Sequence, residues 1–537
     1  MNKKIVIILA VLTLFGGFLR FYNNYKNPIS LNIDEVSYGY SAYSILKTAH
    51  DENGEFLPLF FRSTGDYKNP FLIYSLVPAI ALFGLNEFSV RFTTALFGTL
   101  SIPIFFFLLK SLTKDRRVIL IGSILFTISP WHIYYSRFAS EALIGLFSLM
   151  LGMIFFIKIS KEKKIYAFLS AVFLALSMYI YHSERLFVFL FLIIFFILNF
   201  RKIKRLETIL FILTLSIVLV PLIFYSIFGT ANARAGMVFL SQDIEYTRYV
   251  ILDHLQRRGE SLLLLLFWIK RYLNYFQPDF LFFNGLNMTR SGTLGVGVFY
   301  LFEFLWLLLG IAEIIRKQLV NRIFIILWIL IGIIPASLTN NDQSTNRTLL
   351  ILPPIIFIVS LGAVKFLEIV KNVKNSSFKY GIVVLYSVFI VVVLLRAFLI
   401  FAIHFPSQRG EAFMEGTKET VLYANNNKDY YNEIVYDPYR GIEAPYIVNI
   451  PYMYILFYSK YDPLTYQRDD KKYGQERFSF NKYTIRRINW REDRSKKGVL
   501  FIGSPWSLPL NDLQPDEILK KIYLSNGDLA LLIVSPK

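Results

Sequence analysis

The sequence predicts an α-helical polytopic membrane protein of about eleven transmembrane helices, carrying a small C-terminal extracytoplasmic α/β domain. Three observations predict it. Apolar stretches of roughly 17–25 residues, the length that crosses a bilayer, recur through the first 403 residues. Lys and Arg gather in short clusters at every second junction between those stretches. After about residue 404 the chain turns to short β-like runs separated by charged and Asn-rich stretches.

Composition excludes the soluble classes. The chain has 537 residues, of which 55% are AVILMFWYC and 17% aromatic, with a mean hydropathy of +0.47. A soluble domain is about 45–50% apolar even with Gly counted. A net charge of +19 would raise the question of nucleic acid in a soluble chain, but here the cations lie between apolar runs and the bilayer accounts for them. No nucleic-acid partner is expected. Cysteine is absent, which removes disulfides, thiolate metal sites and cysteine nucleophiles. No Walker-type or GxGxxG phosphate loop occurs, which argues against a nucleotide-driven pump.

The apolar segments fall near 5–22, 88–112, 118–136, 139–157, 165–182, 186–200, 207–228, 295–315, 322–338, 348–369 and 380–403. The first ends in Arg20-Phe21-Tyr22 with no small-x-small cleavage site, so it reads as a signal anchor. Basic clusters at Lys3/Lys4, Lys114/Arg116/Arg117, Lys158/Lys161/Lys163/Lys164, Arg201/Lys202/Lys204/Arg205, Arg316/Lys317/Arg322 and Lys371/Lys374/Lys379 mark the cytoplasmic side. The N-terminus is then inside a plasma membrane. Segments 23–87, 137–138, 183–185, 229–294, 339–347 and everything after 403 fall outside.

Within the first outer loop, 34–49 and 70–83 look helical but too short or interrupted to span, and both suit the membrane surface. Pro70 opens the second at a position where proline starts a helix well. The 229–294 loop holds the amphipathic run SLLLLLFWIKRYLNYF. Residues 1–403 thus form a transmembrane module and 404–537 a separate domain. In that domain a helix near 411–425 precedes the runs EIVYD, YTIRRIN and GVLFIGS, and Asn-Gly-Asp joins KKIYLS to ALLIVS in a hairpin.

Ionisable groups at the ends of spans are costly to desolvate. Five such groups fall on the outer face: Asp34-Glu35, Asp66-Tyr67-Lys68-Asn69-Pro70, Arg137 with Glu141, the run Tyr181-His182-Ser183-Glu184-Arg185, and Asn346-Arg347. One cavity lined by carboxylates and cations is their simplest common cause. Each also has a structural reading. Asp34 can cap the helix that follows it. Arg137 and Glu141 are spaced as a helix ion pair. His182 suits an interfacial histidine better than a metal ligand, and Lys68 and Arg347 can extend to headgroups. Glu87 and Arg91, also four apart, read as structural. For chemistry, a carboxylate can activate a hydroxyl as general base, and fixed cations can stabilise the charge of a departing lipid-linked phosphate. Spacing alone does not separate this from an ion-coupled transporter.

The order of features resembles the GT-C glycosyltransferases of family 39 type, which include protein O-mannosyltransferases and lipid A aminoarabinose transferases. The matching pieces are NIDEVSYGYSAYSIL, GDYKNPFLIY, NEFSVRFTTALFGTLSIP, SRFASEALIGLF, YHSERLFVFL and NRTLLILPPIIFIVSLG, in order over about residues 1–370. The resemblance implies inverting transfer of a sugar from a polyprenyl-phosphate donor to a hydroxyl acceptor on protein, lipid or glycan. By that likeness Asp34 is the general base and Glu35 orients the acceptor or shapes the site. Lys68 holds the donor phosphate, with Asp66 and Tyr67 beside it. Arg137 serves phosphate or catalytic geometry, Glu141 matches an acidic position, and His182, Arg185 and Arg347 fall among the substrate contacts. Two departures stand out. The Lys-Pro-Pro element is Lys68-Asn69-Pro70, and Tyr67 replaces a Glu that some relatives offer to a metal. Asp66 can stand in for it, so a divalent metal is an alternative, but no metal site is assigned and no cofactor is certain.

Two other classes compete. A flippase for a lipid-linked intermediate should carry ionisable residues near mid-bilayer, whereas here they gather at one face. A GT-C polymerase or oligosaccharyl transferase using a pyrophosphate-linked donor should show metal-binding carboxylate motifs, and none is evident.

Overall fold

Each of the eleven apolar segments contains a helix: Lys3–Phe21, Glu87–Leu112, Arg116–Ile128 followed by Pro130–Ser136, Glu141–Lys158, Lys164–Ile180, His182–Asn199, Arg205–Phe228, Glu303–Lys317, Arg322–Ser337, Leu352–Lys371 and Ser376–Leu399. The computed structural model describes residues 3–537 apart from 64, 160–162, 200–204, 230–237, 244–245, 249–259, 287–294, 318–321, 341, 470 and 474–476. Among the described residues six helices are long and apolar enough to cross a membrane, or seven if one bent pair is a single span. The molecule is a multi-pass helical membrane protein, and by this measure the count of eleven full spans is not reached. Lys164–Ile180 and Arg322–Ser337 are shorter apolar helices.

Two segments depart from the expected spans for identifiable reasons. The 118–136 stretch bends by 47° between Ile128 and Pro130. Pro130 lacks the amide that would continue the ladder and instead opens a new helix, capped by the Ser129 hydroxyl accepting from the His132 amide at 3.3 Å. In the 295–315 stretch the helix begins only at Glu303. A Cβ on Gly297 would collide with the backbone of Phe282, so this piece lies directly against another stretch of main chain, to which the Val298 and Phe299 amides donate.

The chain divides into two compact units, Met1–Tyr22 with Thr94–Ile400 and Asn23–Thr93 with Phe401–Lys537. In the first, Glu303–Lys317 packs along Leu352–Lys371. A Cβ on Gly362 would collide with the Trp306 carbonyl oxygen, and one on Gly310 with that of Ile358. Small residues there let two backbones approach as membrane helices favour. Arg20 is wholly buried. Its guanidinium donates to the carbonyls of Gly16 at 2.8 Å and Thr127 at 3.2 Å and meets His132 Nδ1 at 2.8 Å.

The second unit joins the first outer loop, grouped by sequence with the spans, to the C-terminal residues. It contains helices Ile33–Thr48 and Pro70–Phe83, both near their expected limits, and the antiparallel pair Phe61–Ser63 and Asp66–Lys68. Its seven-stranded sheet runs in the order Ile518–Tyr523, Leu529–Val534, Val499–Gly503, Glu433–Tyr436, Tyr483–Arg486, Arg477–Phe480, Lys472–Tyr473. The central strand is parallel to both neighbours and the other pairs are antiparallel. The last two strands form the expected hairpin, whose Gly527 takes a left-handed φ of 92°. The helix expected near 411–425 is Thr417–Asn427, behind a short 3₁₀ turn at Glu411–Phe413. Helix Pro451–Tyr458 packs on Ile33–Thr48, where a Cβ on Gly39 would meet the Phe457 ring at 2.6 Å.

Candidate functional site

Helix Ile33–Thr48 starts with a capping box. The Asn32 side chain accepts from the Glu35 amide at 2.9 Å and the Glu35 carboxylate accepts from the Asn32 amide at 3.1 Å. Asn32 rather than Asp34 caps the helix. Asp34 is left on the first turn, where the helix dipole favours a negative group, with its side chain half exposed.

Glu35 points the other way and is fully buried. Arg91 grips it with two donors, Nε to Oε1 at 2.8 Å and Nη2 to Oε2 at 3.1 Å. The same guanidinium donates to the carbonyls of Asn24 at 2.7 Å, Pro28 at 2.7 Å and Ser30 at 2.5 Å. Arg91 therefore locks the approach to the helix. The expected Glu87–Arg91 pairing is replaced, because Glu87 pairs instead with Lys418, at 2.5 Å.

Lys68 ends the strand Asp66–Lys68, opposite Phe61. Asn69 and Pro70 then turn the chain into the next helix. The Lys68 side chain has no solvent exposure, and its ammonium donates to Asp34 Oδ1. It also lies 4.9 Å from the centre of the Tyr38 ring, one helical turn beyond Asp34. The Ser37 and Ser63 hydroxyls, 2.7 Å apart, tie helix to hairpin. Tyr67 is half-buried on the same strand. The Asp66 side chain lies outside the described residues.

The other candidates gather in the first unit. Arg137 closes helix Pro130–Ser136, is 4% exposed, and donates to the Leu19 carbonyl at 2.8 Å. Glu141 opens the next helix and is buried. The chain breaks between them, so they do not share a helix. His182 begins the helix His182–Asn199 directly after Tyr181 ends the preceding one. Arg185 donates from Nε to the Met178 carbonyl at 2.9 Å and interacts electrostatically with Glu141 and Glu184. Arg347 lies on the turn Thr345–Thr348 and donates to the Thr339 hydroxyl at 3.0 Å. That turn is fixed by Trp131 Nε1 donating to the Thr345 carbonyl at 3.1 Å and by Tyr135 meeting the Thr345 hydroxyl at 2.6 Å. Tyr135 in turn feels Tyr181 and Arg347. Pieces more than two hundred residues apart thus converge.

Three residues lay outside the sequence-derived set. Glu184 is buried against helix Glu141–Lys158, where a Cβ on Gly145 would stand 2.7 Å from its Oε1. Its place in the Tyr-His-Ser-Glu-Arg run was the available signal. Arg91 had only its spacing from Glu87, which pointed to the wrong partner. Glu52 had no signal at all. As for metal, no three His, Asp or Glu side chains among the described residues form a ligand set. No step is assigned to one.

Known proteins share both the sequence pattern and the fold. Residues 10–235 match the family model described as dolichyl-phosphate-mannose-protein mannosyltransferase. No curated protein matches the sequence. Among solved structures, ArnT from Cupriavidus metallidurans in the apo state aligns at a TM-score of 0.55 with 12% identity, over 99% of this chain and 98% of that one. The same protein bound to undecaprenyl phosphate aligns at 0.52 with 12% identity, over the same shares. The archaeal oligosaccharyltransferase AglB from Archaeoglobus fulgidus, in complex with an inhibitory peptide and a dolichol-phosphate, aligns at 0.51 with 12% identity over 84% of this chain. This chain spans 63% of the length of AglB. The chain shares the fold of ArnT and AglB, and the likeness to family 39 read from the sequence is matched by the family model over residues 10–235.

Proposed function

We propose that the protein is a membrane glycosyltransferase that moves a sugar, with inversion, from a polyprenyl-phosphate donor to a hydroxyl acceptor. The acceptor oxygen attacks the anomeric carbon, the bond from that carbon to the phosphate oxygen breaks, and Asp34 takes the hydroxyl proton. Lys68, beside Asp34, is the cation that meets the phosphate as its charge develops. In the first unit, Arg137, Arg185 and Arg347 are candidate donor contacts. Glu35 is a positioning residue, since it reaches the site only through the helix start it shares with Asn32 and Arg91. Glu141 and His182 accompany those arginines in the first unit, and Asp66 and Tyr67 precede the lysine on its strand. The donor side of this reading is supported by the polyprenyl phosphates named with ArnT and AglB. The basic clusters support a site and C-terminal residues on the outer side of a plasma membrane.

The observation that carries the reading is an accessible carboxylate on a helix N-terminus held by an otherwise buried ammonium. A labelled-donor assay in membranes tests it. Wild type should release sugar from polyprenyl monophosphate rather than pyrophosphate donors, and Asp34→Asn should abolish transfer. Normal turnover by that variant removes Asp34 as the base, and turnover confined to the pyrophosphate donor removes the donor assignment.

A further inference from the structure

The unit formed by Asn23–Thr93 and Phe401–Lys537 contains a cavity of about 310 Å³ that neither Asp34 nor Lys68 lines. That volume is at the lower end for small-molecule sites. Three rings wall it, Tyr452, Tyr466 and Phe478, with the first and last packed edge to face at 5.3 Å. Its polar groups include Asn53 and the carboxyl of Glu52.

Glu52 is 4% exposed. Oε1 accepts from the Tyr452 hydroxyl at 3.3 Å, while Oε2 is buried without a hydrogen-bond partner. An unmatched buried oxygen is costly, so a ligand that completes it is favoured. Burial, with Asp51 adding to it, pushes the Glu52 pKa up to about 8. Near neutral pH the group is then mainly a neutral acid, able to donate and to accept.

The charges around it select the guest. The Lys471 ammonium lies 4.0 Å from the centre of the Tyr466 ring and 3.5 Å from the Glu52 carbonyl oxygen, so that aromatic face already holds a cation. Asp51, buried beside Glu52, disfavours an anion. A neutral polyol with one apolar face fits both constraints. Its hydroxyls meet the carboxyl, and its C–H face meets the rings.

We propose that this cavity is a saccharide-binding subsite, in which Glu52 bonds ring hydroxyls between the Tyr452 and Phe478 walls. Ser63 acts on the Glu52 carboxyl by lowering its pKa, and its hydroxyl meets that of Ser37, one turn after Asp34. If the transferase reading holds, on which this last step rests, the saccharide bound here belongs to the acceptor, and the acceptor is a glycan.

Saturation-transfer NMR on the full-length protein in detergent tests the subsite, with methyl glycosides of glucose, mannose, galactose and N-acetylglucosamine as probes and a Ser/Thr-rich peptide as control. At least one glycoside should receive saturation on its ring protons. Glu52→Leu should remove that signal without lowering the thermal midpoint, because it deletes a poorly matched buried carboxyl. Phe478→Ala should weaken the signal at least fivefold. Asp34→Asn should keep it, which separates this subsite from the transfer chemistry. No signal from any glycoside, an unchanged signal in Glu52→Leu, or saturation of the peptide alone would each overturn the proposal. Loss of transfer in Asp34→Asn together with any of these leaves the transferase standing alone.

Discussion

The ammonium of Lys68 donates to the carboxylate of Asp34 across thirty-four residues of sequence, and it is the lysine, not the aspartate, that is sealed from solvent. A buried cation with a half-exposed anionic partner leaves the carboxylate within reach of solvent and substrate. The pair orients Asp34 without enclosing it.

Lys68→Met should therefore lower turnover by about 10²-fold, the usual effect of removing one preorganised donor from a developing negative charge. Because Lys68 also aligns the base, kcat should fall more than the donor KM rises. Steady-state kinetics with a labelled donor would show this, and a change confined to KM would restrict Lys68 to donor binding.

Arg91→Ala should destabilise the second unit by about 3–5 kcal/mol, since it strands a buried Glu35 and three carbonyls. Glu35→Gln should cost about 1–3 kcal/mol. Folded Glu35→Gln should keep its kcat, measured per molecule after thermal challenge. Lost kcat at unchanged stability would put Glu35 in contact with substrate.

Gly145→Ala would normally strengthen a helix by about 1 kcal/mol. Here the added methyl meets Glu184 Oε1 at 2.7 Å and the Tyr181 Cβ at 3.2 Å. We expect unchanged membrane insertion, weaker donor binding and a raised donor KM. An unaltered KM would show that the Glu141–Glu184–Arg185 group does not face the donor.

The Glu52 carboxyl ordinarily titrates near 4.5 and in the fold near 8, so between those values the folded state holds more proton than the unfolded chain. Its contribution to stability is full below about pH 4.5 and is lost as pH rises towards 8. The thermal midpoint should drop between pH 5 and 8.5, and the drop should shrink in Glu52→Leu. An equal drop in that variant would assign the dependence to other groups.

Much of the architecture was legible because membranes impose simple rules on sequence. Helix Pro70–Phe83 was legible from its opening proline, helix Ile33–Thr48 from its pattern and length although its cap is Asn32 and not Asp34, and the Ile518–Val534 hairpin from Asn-Gly. Side-chain partners were not legible. Arg91 looked made for Glu87 four residues away and instead crosses to Glu35, because a buried guanidinium is held by whatever carboxylate and carbonyls surround it in space. The 118–136 segment read as one span because hydropathy does not register that Pro130 starts a new helix.

By itself the sequence determined that this is a helical membrane protein with a β-rich C-terminal region and acidic and basic groups clustered at span ends. Desolvation and turn chemistry act locally, and composition carries them. Only the tertiary structure decided that Lys68 is the partner of Asp34, that Arg91 reaches Glu35, and that a buried Glu52 lines a cavity of its own. Those outcomes depend on which distant backbones come within a few ångströms, and no local pattern encodes that distance.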